Sequence, residues 1–174
     1  MASQRDIRRR IGSVKNIKQI TRAMQFVAAS KLKRAQDATL ASRPYSEKLD
    51  EVLADVAAVL GGEDHPLLAR REGGERLLIL FTTDRGLAGS LNTNTIRFAA
   101  REIATSTGEL SVVTVGRKGT AAMRRAHVPI AASFDGFGDR PTFGDVLPLA
   151  RLISDDFLAG TYARVHLIHP AFVS

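Results

Sequence analysis

Residues 82–94, TTDRGLAGSLNTN, have the residue types of a phosphate-binding loop. They follow the apolar run LLILF, carry Gly86 and Gly89 three apart, and lead into a segment with helical spacing. Backbone N–H groups at such a strand-to-helix turn can cradle an anion. The spacing nevertheless fails both established forms of that chemistry. A P-loop requires Gly-x-x-x-x-Gly-Lys-Ser/Thr, and a dinucleotide fingerprint requires Gly-x-Gly-x-x-Gly. Here Gly86-x-x-Gly89 is followed by Ser90 and Leu91, with no lysine. The simpler expectation is a tight turn, with Ser90 or Asn92 capping the following helix and Asp84 and Arg85 presented on the surface.

The remaining candidates for catalysis are weaker. His166 and His169 are three apart on an expected strand, so they point to opposite faces and cannot share a metal. Asp155 and Asp156 are adjacent on an expected helix and diverge, as on a solvated face. His65 and His127 have no partner nearby in sequence, and neither Gly-x-Ser-x-Gly nor His-Glu-x-x-His occurs. The 174 residues include no cysteine, which removes disulfides and thiolate metal sites. The expectation is a chain with no catalytic, cofactor-binding or metal-binding residues. A small nucleotide-binding α/β enzyme is the reading this disfavours.

The elements that position these residues fall into two parts. Ile7, Ile11, Val14, Ile17, Ile20, Met24 and Val27 recur every three or four residues, and Leu32 and Ala35 continue the series. Leu49, Val52, Leu53, Val56 and Leu60 repeat it, so one long helix is expected over residues 1–60. Pro44 is the one breaker, expected to kink or split it, and Gly61-Gly62 with Pro66 to end it. Residues 4–60 would span about 80 Å as one helix, against about 30–35 Å for a compact domain of this size. Most of the helix is therefore expected to project, with an apolar stripe that needs a partner helix.

Residues 61–75 form a polar, glycine-bounded connector. From residue 76 to 174, the apolar runs 77–81, 110–115, 128–134 and 165–169 alternate with helical stretches near 90–106, 117–126 and 142–159. That alternation predicts an α/β, Rossmann-like domain with a mainly parallel sheet. Thr142-x-x-Asp145 is an N-cap signal for the last helix. No run of eighteen apolar residues is present, and MASQRDIRRR lacks a secretory signal's apolar core. A bacterial cytoplasmic setting is the simplest expectation.

The net charge of +7 is unevenly distributed. Residues 1–50 carry 12 Lys and Arg against 4 Asp and Glu, whereas residues 51–174 carry 13 against 14. Few acidic residues intersperse in the first segment to give i, i+4 pairs, so an acidic partner is expected there. Nucleic acid is one such partner. Single-strand binding calls for stacking aromatics, and the first 60 residues contain only Phe26 and Tyr45. An apolar stripe and a basic flank on one helix fit contact with acidic protein surfaces better.

The segments IRRRIGSVKNIKQITRAMQFVAASKLKRAQ, ASRPYSEKL and TTDRGLAGSLNTN resemble, in order and separation, the gamma subunit of F-type ATP synthases. GRKG (116–119), FDGFGDRPTF (134–143) and VHLIHPAFVS extend the resemblance over essentially the whole chain. The resemblance implies a central-stalk rotor. Its helical coiled coil inserts into the alternating alpha/beta hexamer, and its α/β head meets the epsilon subunit and the membrane-embedded c-ring. Ion-driven rotation would then drive ATP synthesis in the beta subunits, with no catalytic residue in this chain. It implies partner contacts at Arg8, Arg9, Lys18, Arg22, Met24 and Lys31 on the rod, and at Arg85 and Ala88 in the head loop. It also implies a peripheral position on the cytoplasmic face of the bacterial plasma membrane. Family members continue to a second long helix that completes the coiled coil. The sequence stops at Ser174, before that helix, so the chain alone is expected to be an incomplete rotor. Without cysteine it also lacks the redox-regulatory insert of chloroplast members.

Overall fold

The computed structural model describes residues 3–60, 65–71 and 73–173. The chain divides into two compact units, Met1–Val52 and Leu53–Ser174. The first is helical: α1 runs Gln4–Leu60, 57 residues, and continues into the second unit's sequence. Helix formers fill it, and Gly12 is its only glycine. It runs through Pro44 unbroken, so the expected split does not occur. Proline removes one i→i−4 hydrogen bond, and a helix of this length retains enough others on both sides to continue. The expected stop at Gly61-Gly62 lies outside the described residues.

In the second unit, β1 (Glu75–Phe81), α2 (Leu91–Thr105), β2 (Leu110–Val115), α3 (Arg117–Arg125), β3 (Ile130–Phe134), α4 (Phe143–Leu158) and β4 (Tyr162–Ile168) alternate. The strands form one sheet in the order β3-β2-β1-β4, with every pairing parallel. The first two crossovers step outward from β1, and the third returns past it to β4. With a single crossover hand, that reversal puts α4 on the opposite face from α2 and α3. The two core layers agree. Leu78, Leu80 and Val112 pack with Ala99 of α2 and Met123 of α3, while Leu77, Ile79, Val113 and Val115 pack with Leu149 of α4. β1 is buried on both faces, which is why LLILF reads as a continuous apolar run instead of an alternating one.

The strands start earlier than their apolar runs at two places. β1 begins at Glu75, where Arg76 donates to the Ser106 hydroxyl and, at 3.0 Å, to the Thr107 carbonyl. β4 begins at Tyr162 because α4 ends abruptly. Gly160, at φ +84°, donates to the Phe157 carbonyl at 3.1 Å, and Thr161 donates to the Asp156 carbonyl at 3.0 Å. This is the glycine-terminated helix end that satisfies orphan carbonyls and turns the chain at once. At the other end of α4, the Asp145 carboxylate accepts from the Thr142 N–H and hydroxyl, each at 2.7 Å. These two bonds, the backbone one first, hold the Asp145 carboxyl below its ordinary value.

Candidate partner-contact site

The C-terminal edge of the sheet gathers three loops far apart in sequence: β1–α2, β2–α3 and β3–α4. Asp84 fastens them together. One carboxylate oxygen accepts the Arg117 N–H at 3.0 Å, and the other accepts the Gly136 N–H at 2.9 Å. Asp84 is therefore turned into the loops, and the expected surface display holds for Arg85 alone, which is exposed. The reason lies in α3, which opens on Arg117 and Lys118 with no acidic residue in its first turn. Two cations at a helix N-terminus oppose its dipole, and a carboxylate delivered from a neighbouring loop offsets them.

Thr82 makes the second tie. Its hydroxyl donates toward the Val115 and Gly116 carbonyls at 3.0 and 3.1 Å, and it accepts the Gly119 N–H at 2.8 Å. Gly116, at φ +95°, leaves no room for a side chain, since an added Cβ would lie 2.1 Å from the Thr82 carbonyl oxygen. GRKG and TTDRG are thus two halves of one packed junction.

The cap expected from Ser90 or Asn92 is absent. Ser90 occupies the N-cap position without a side-chain hydrogen bond. Asn92 reaches back instead: its carbonyl accepts the Thr83 N–H at 3.1 Å, and its amide donates to the Thr83 hydroxyl at 2.8 Å. That clamp sits at the point where strand order reverses between β1 and β4, where doubly wound sheets place their ligands. The crevice there, lined by Phe81, Thr82, Thr83, Leu91, Asn92, Thr95 and Pro170, measures about 110 Å³. Ligand pockets typically measure about 300–1,000 Å³. Asp84 thus takes up the first amide of α3, and Asn92 takes up the Thr83 amide beside the crevice. Two larger hollows lie nearby. One, of about 620 Å³, lies over Phe81, Phe137 and Leu149 beneath the Asp84 bridge. The other is an open groove of about 750 Å³ between α2 and β4, whose lining carries no Lys, Arg, Asp or Glu.

His166 and His169 do not share a strand, because β4 ends at Ile168. Among the described residues no group of three or more His, Asp or Glu is placed to hold a metal. No described helix is long and apolar enough to cross a membrane.

The expected contact residues divide between the two units. Arg8, Arg9, Lys18, Arg22, Met24 and Lys31 lie on α1, and all are exposed. At about 100° per residue, Arg8, Lys18 and Arg22 share one sector, and Arg9, Met24 and Lys31 share another. The apolar series Ile7 to Val27 runs between 49% and 63% exposed. Its mean spacing, about 3.3 residues, is shorter than the helical period, so the stripe winds around α1 and suits a wrapping partner. In the second unit, Arg85 is exposed and Ala88 half-buried. Sequence reasoning named Asn92 but gave it the wrong partner, and it missed the bridging role of Asp84. The acid at Asp84 followed by a basic helix start at Arg117 was the available signal.

The three loops at this edge carry TTDRG, GRKG and FDGFGD. The chain matches the ATP synthase family over residues 3–174 and belongs to that family. The relatives it resembles are gamma chains. The ATP synthase gamma chain of Pelotomaculum thermopropionicum is 44% identical over 174 residues, covering 100% of this chain and 61% of that one. The gamma chain of Dehalococcoides mccartyi is 46% identical over 176 residues, covering 100% of this chain and 62% of its own. Among solved structures, a chain in the central stalk and c-ring of the Tetrahymena thermophila mitochondrial ATP synthase superposes with a TM-score of 0.62. It is 26% identical, with 89% of this chain and 66% of that chain covered. The chain spans about 61% of the length of the curated relatives it matches.

Proposed function

We propose that this chain is part of a non-catalytic central-stalk rotor subunit of an F-type ATP synthase, coupling ion-driven rotation to ATP synthesis in the beta subunits. The observation that carries the reading is the match along the whole chain to gamma chains, joined by likeness to a chain of a solved central stalk. The physical features are consistent with it. A rotor meets three chemically identical faces in turn, so deep specific ion pairs on any one face would trap it. Exposed apolar side chains and solvent-screened cations on α1 give weaker, interchangeable contacts. Arg8, Arg9, Lys18, Arg22, Met24 and Lys31, with Arg85 and Ala88, are the contact residues proposed. The alpha and beta subunits are the partners on the rod. Epsilon and the c-ring are the partners on the head, at the cytoplasmic face of the bacterial membrane.

The test is co-assembly. The full-length gene product, expressed with the alpha and beta subunits of the same organism, is expected to purify with them in one complex with ATPase activity. Charge reversal at Arg8, Lys18 and Arg22 together is expected to impair coupling. Failure to co-assemble, or tight DNA binding with a steep salt slope in its place, would overturn the reading in favour of the nucleic-acid alternative.

A further inference from the structure

Leu87 combines two unfavourable features. Its side chain is fully exposed, at 103% of the reference value, more than any other large apolar side chain among the described residues. Its backbone is left-handed, at φ +61°, a region that leucine rarely adopts and that holds strain. The loop cannot relax out of it easily, because both flanks are fastened. Thr83 is clamped by Asn92, Asp84 bridges Arg117 and Gly136, and Leu91 donates to the Ala88 carbonyl at 3.2 Å. Strain maintained by surrounding structure is characteristic of contact sites. Two cations lie at the neighbouring residues of the loop: Arg85 is exposed, and the Lys118 ammonium lies 3.7 Å from where a Gly86 Cβ would stand, while the nearby Asp84 carboxylate is taken up by two backbone amides.

We propose that Leu87 is a preset apolar knob that docks into an apolar socket rimmed by carboxylates on the alpha–beta assembly, with Asp84 as the residue that positions it. This rests on the reading that the Arg85–Ala88 loop is a partner contact, and it deepens that reading. Leu87 supplies the buried apolar anchor of the interface. Arg85 and Lys118 face the carboxylate rim and favour encounter over lasting affinity. Asp84 touches no partner. Its two accepted hydrogen bonds hold the loop in the one conformation that displays the knob, so less ordering is needed on binding.

The experiment compares variants of the full-length gene product binding to the alpha–beta assembly, with dissociation rates measured at two salt concentrations. Leu87→Gly removes the side chain and suits the left-handed backbone. It is expected to speed dissociation about tenfold while leaving the melting temperature unchanged or raised. Lys118→Ala is expected to slow association at low salt and to have little effect at high salt. Asp84→Asn is expected to speed dissociation and to accelerate hydrogen exchange at the Arg117 and Gly136 amides. The Asp84→Asn, Leu87→Gly double variant should dissociate more slowly than the product of the two single effects, a non-additivity that general destabilisation would not produce. Wild-type binding by Leu87→Gly overturns the knob. If Arg85→Ala alone then weakens binding, the contact loop survives without it. If Arg85→Ala also binds as wild type, the contact reading falls too.

Discussion

Arg71 and Phe157 are joined twice. The Arg71 guanidinium lies 4.6 Å from the centroid of the Phe157 ring, and the same group donates to the Phe157 carbonyl and, at 3.1 Å, to the Tyr162 carbonyl. A cation at a helix C-terminus meets the negative end of the dipole. This one also spans the turn from α4 into β4, so a residue of the connector staples the exit of the last crossover helix to the sheet.

Arg71→Ala should therefore destabilise the second unit by about 1–3 kcal/mol, from the lost cation–π contact and the two lost hydrogen bonds to carbonyls. Arg71→Lys should recover less than half of that, because an ammonium cannot stack and fork at once. Urea unfolding of the three proteins reads the difference, and equal midpoints would show that the staple contributes nothing.

The junction of GRKG with TTDRG makes a sharp prediction at two glycines. Gly116 and Gly136 have similar backbones, at φ +95° and +80°, but only Gly116 faces an obstruction, the Thr82 carbonyl. Gly136→Ala should lower stability by about 1 kcal/mol, the cost of a left-handed alanine. Gly116→Ala should lower it by at least about 3 kcal/mol, because strand β2 must move to admit the methyl group. Melting curves of the two variants that coincide would contradict the close approach.

Acid should loosen the start of α4 through Asp145. Its carboxyl is held below the ordinary 3.8 by the Thr142 N–H and then the Thr142 hydroxyl. A depressed native value means that the stabilisation is complete above the unfolded carboxyl's pKa. It is lost as pH falls through the native value. NMR titration should find Asp145 titrating below 3.8, with the Thr142 amide shifting in the same step. Asp145→Asn should abolish that step, and an Asp145 titrating at 3.8 or above would contradict the box.

The passage of α1 through Pro44 predicts a gain on substitution. Proline in a helix interior costs about 3 kcal/mol relative to alanine, and α1 carries it without a break. Pro44→Ala should raise the thermal midpoint of the helical circular-dichroism signal, most visibly in a peptide spanning residues 30–58. An unchanged or lowered midpoint would mean that the ring makes contacts worth as much as the missing bond.

The elements were legible wherever apolar residues leave a pattern, whether exposed along α1 or buried in the sheet. Apolar spacing of three or four located α1, and LLILF and LSVVTV located the two central strands, because β1 and β2 are covered on both faces. Thr142 and Asp145 were legible as a cap because both partners lie within one turn. The site was legible only as motifs. Asp84 finds its acceptor duties 33 and 52 residues away, and nothing local distinguishes it from a solvated acid. Asn92 read as a cap because caps are local, whereas its actual partner, Thr83, belongs to the strand before it. Leu87 left no sequence signal, since a leucine is expected inside and a left-handed backbone is expected of the glycines beside it.

The central proposal, that this chain is part of a rotor subunit, is tested most directly by watching that subunit turn. The full-length gene product, labelled on the second unit at an introduced cysteine, would be assembled with immobilised alpha and beta subunits and observed during ATP hydrolysis. The account predicts unidirectional rotation with three dwells per turn, and frequent slips or stalls when Arg8, Lys18 and Arg22 are reversed in charge. A label that stays fixed in an assembly hydrolysing ATP at full rate would contradict it.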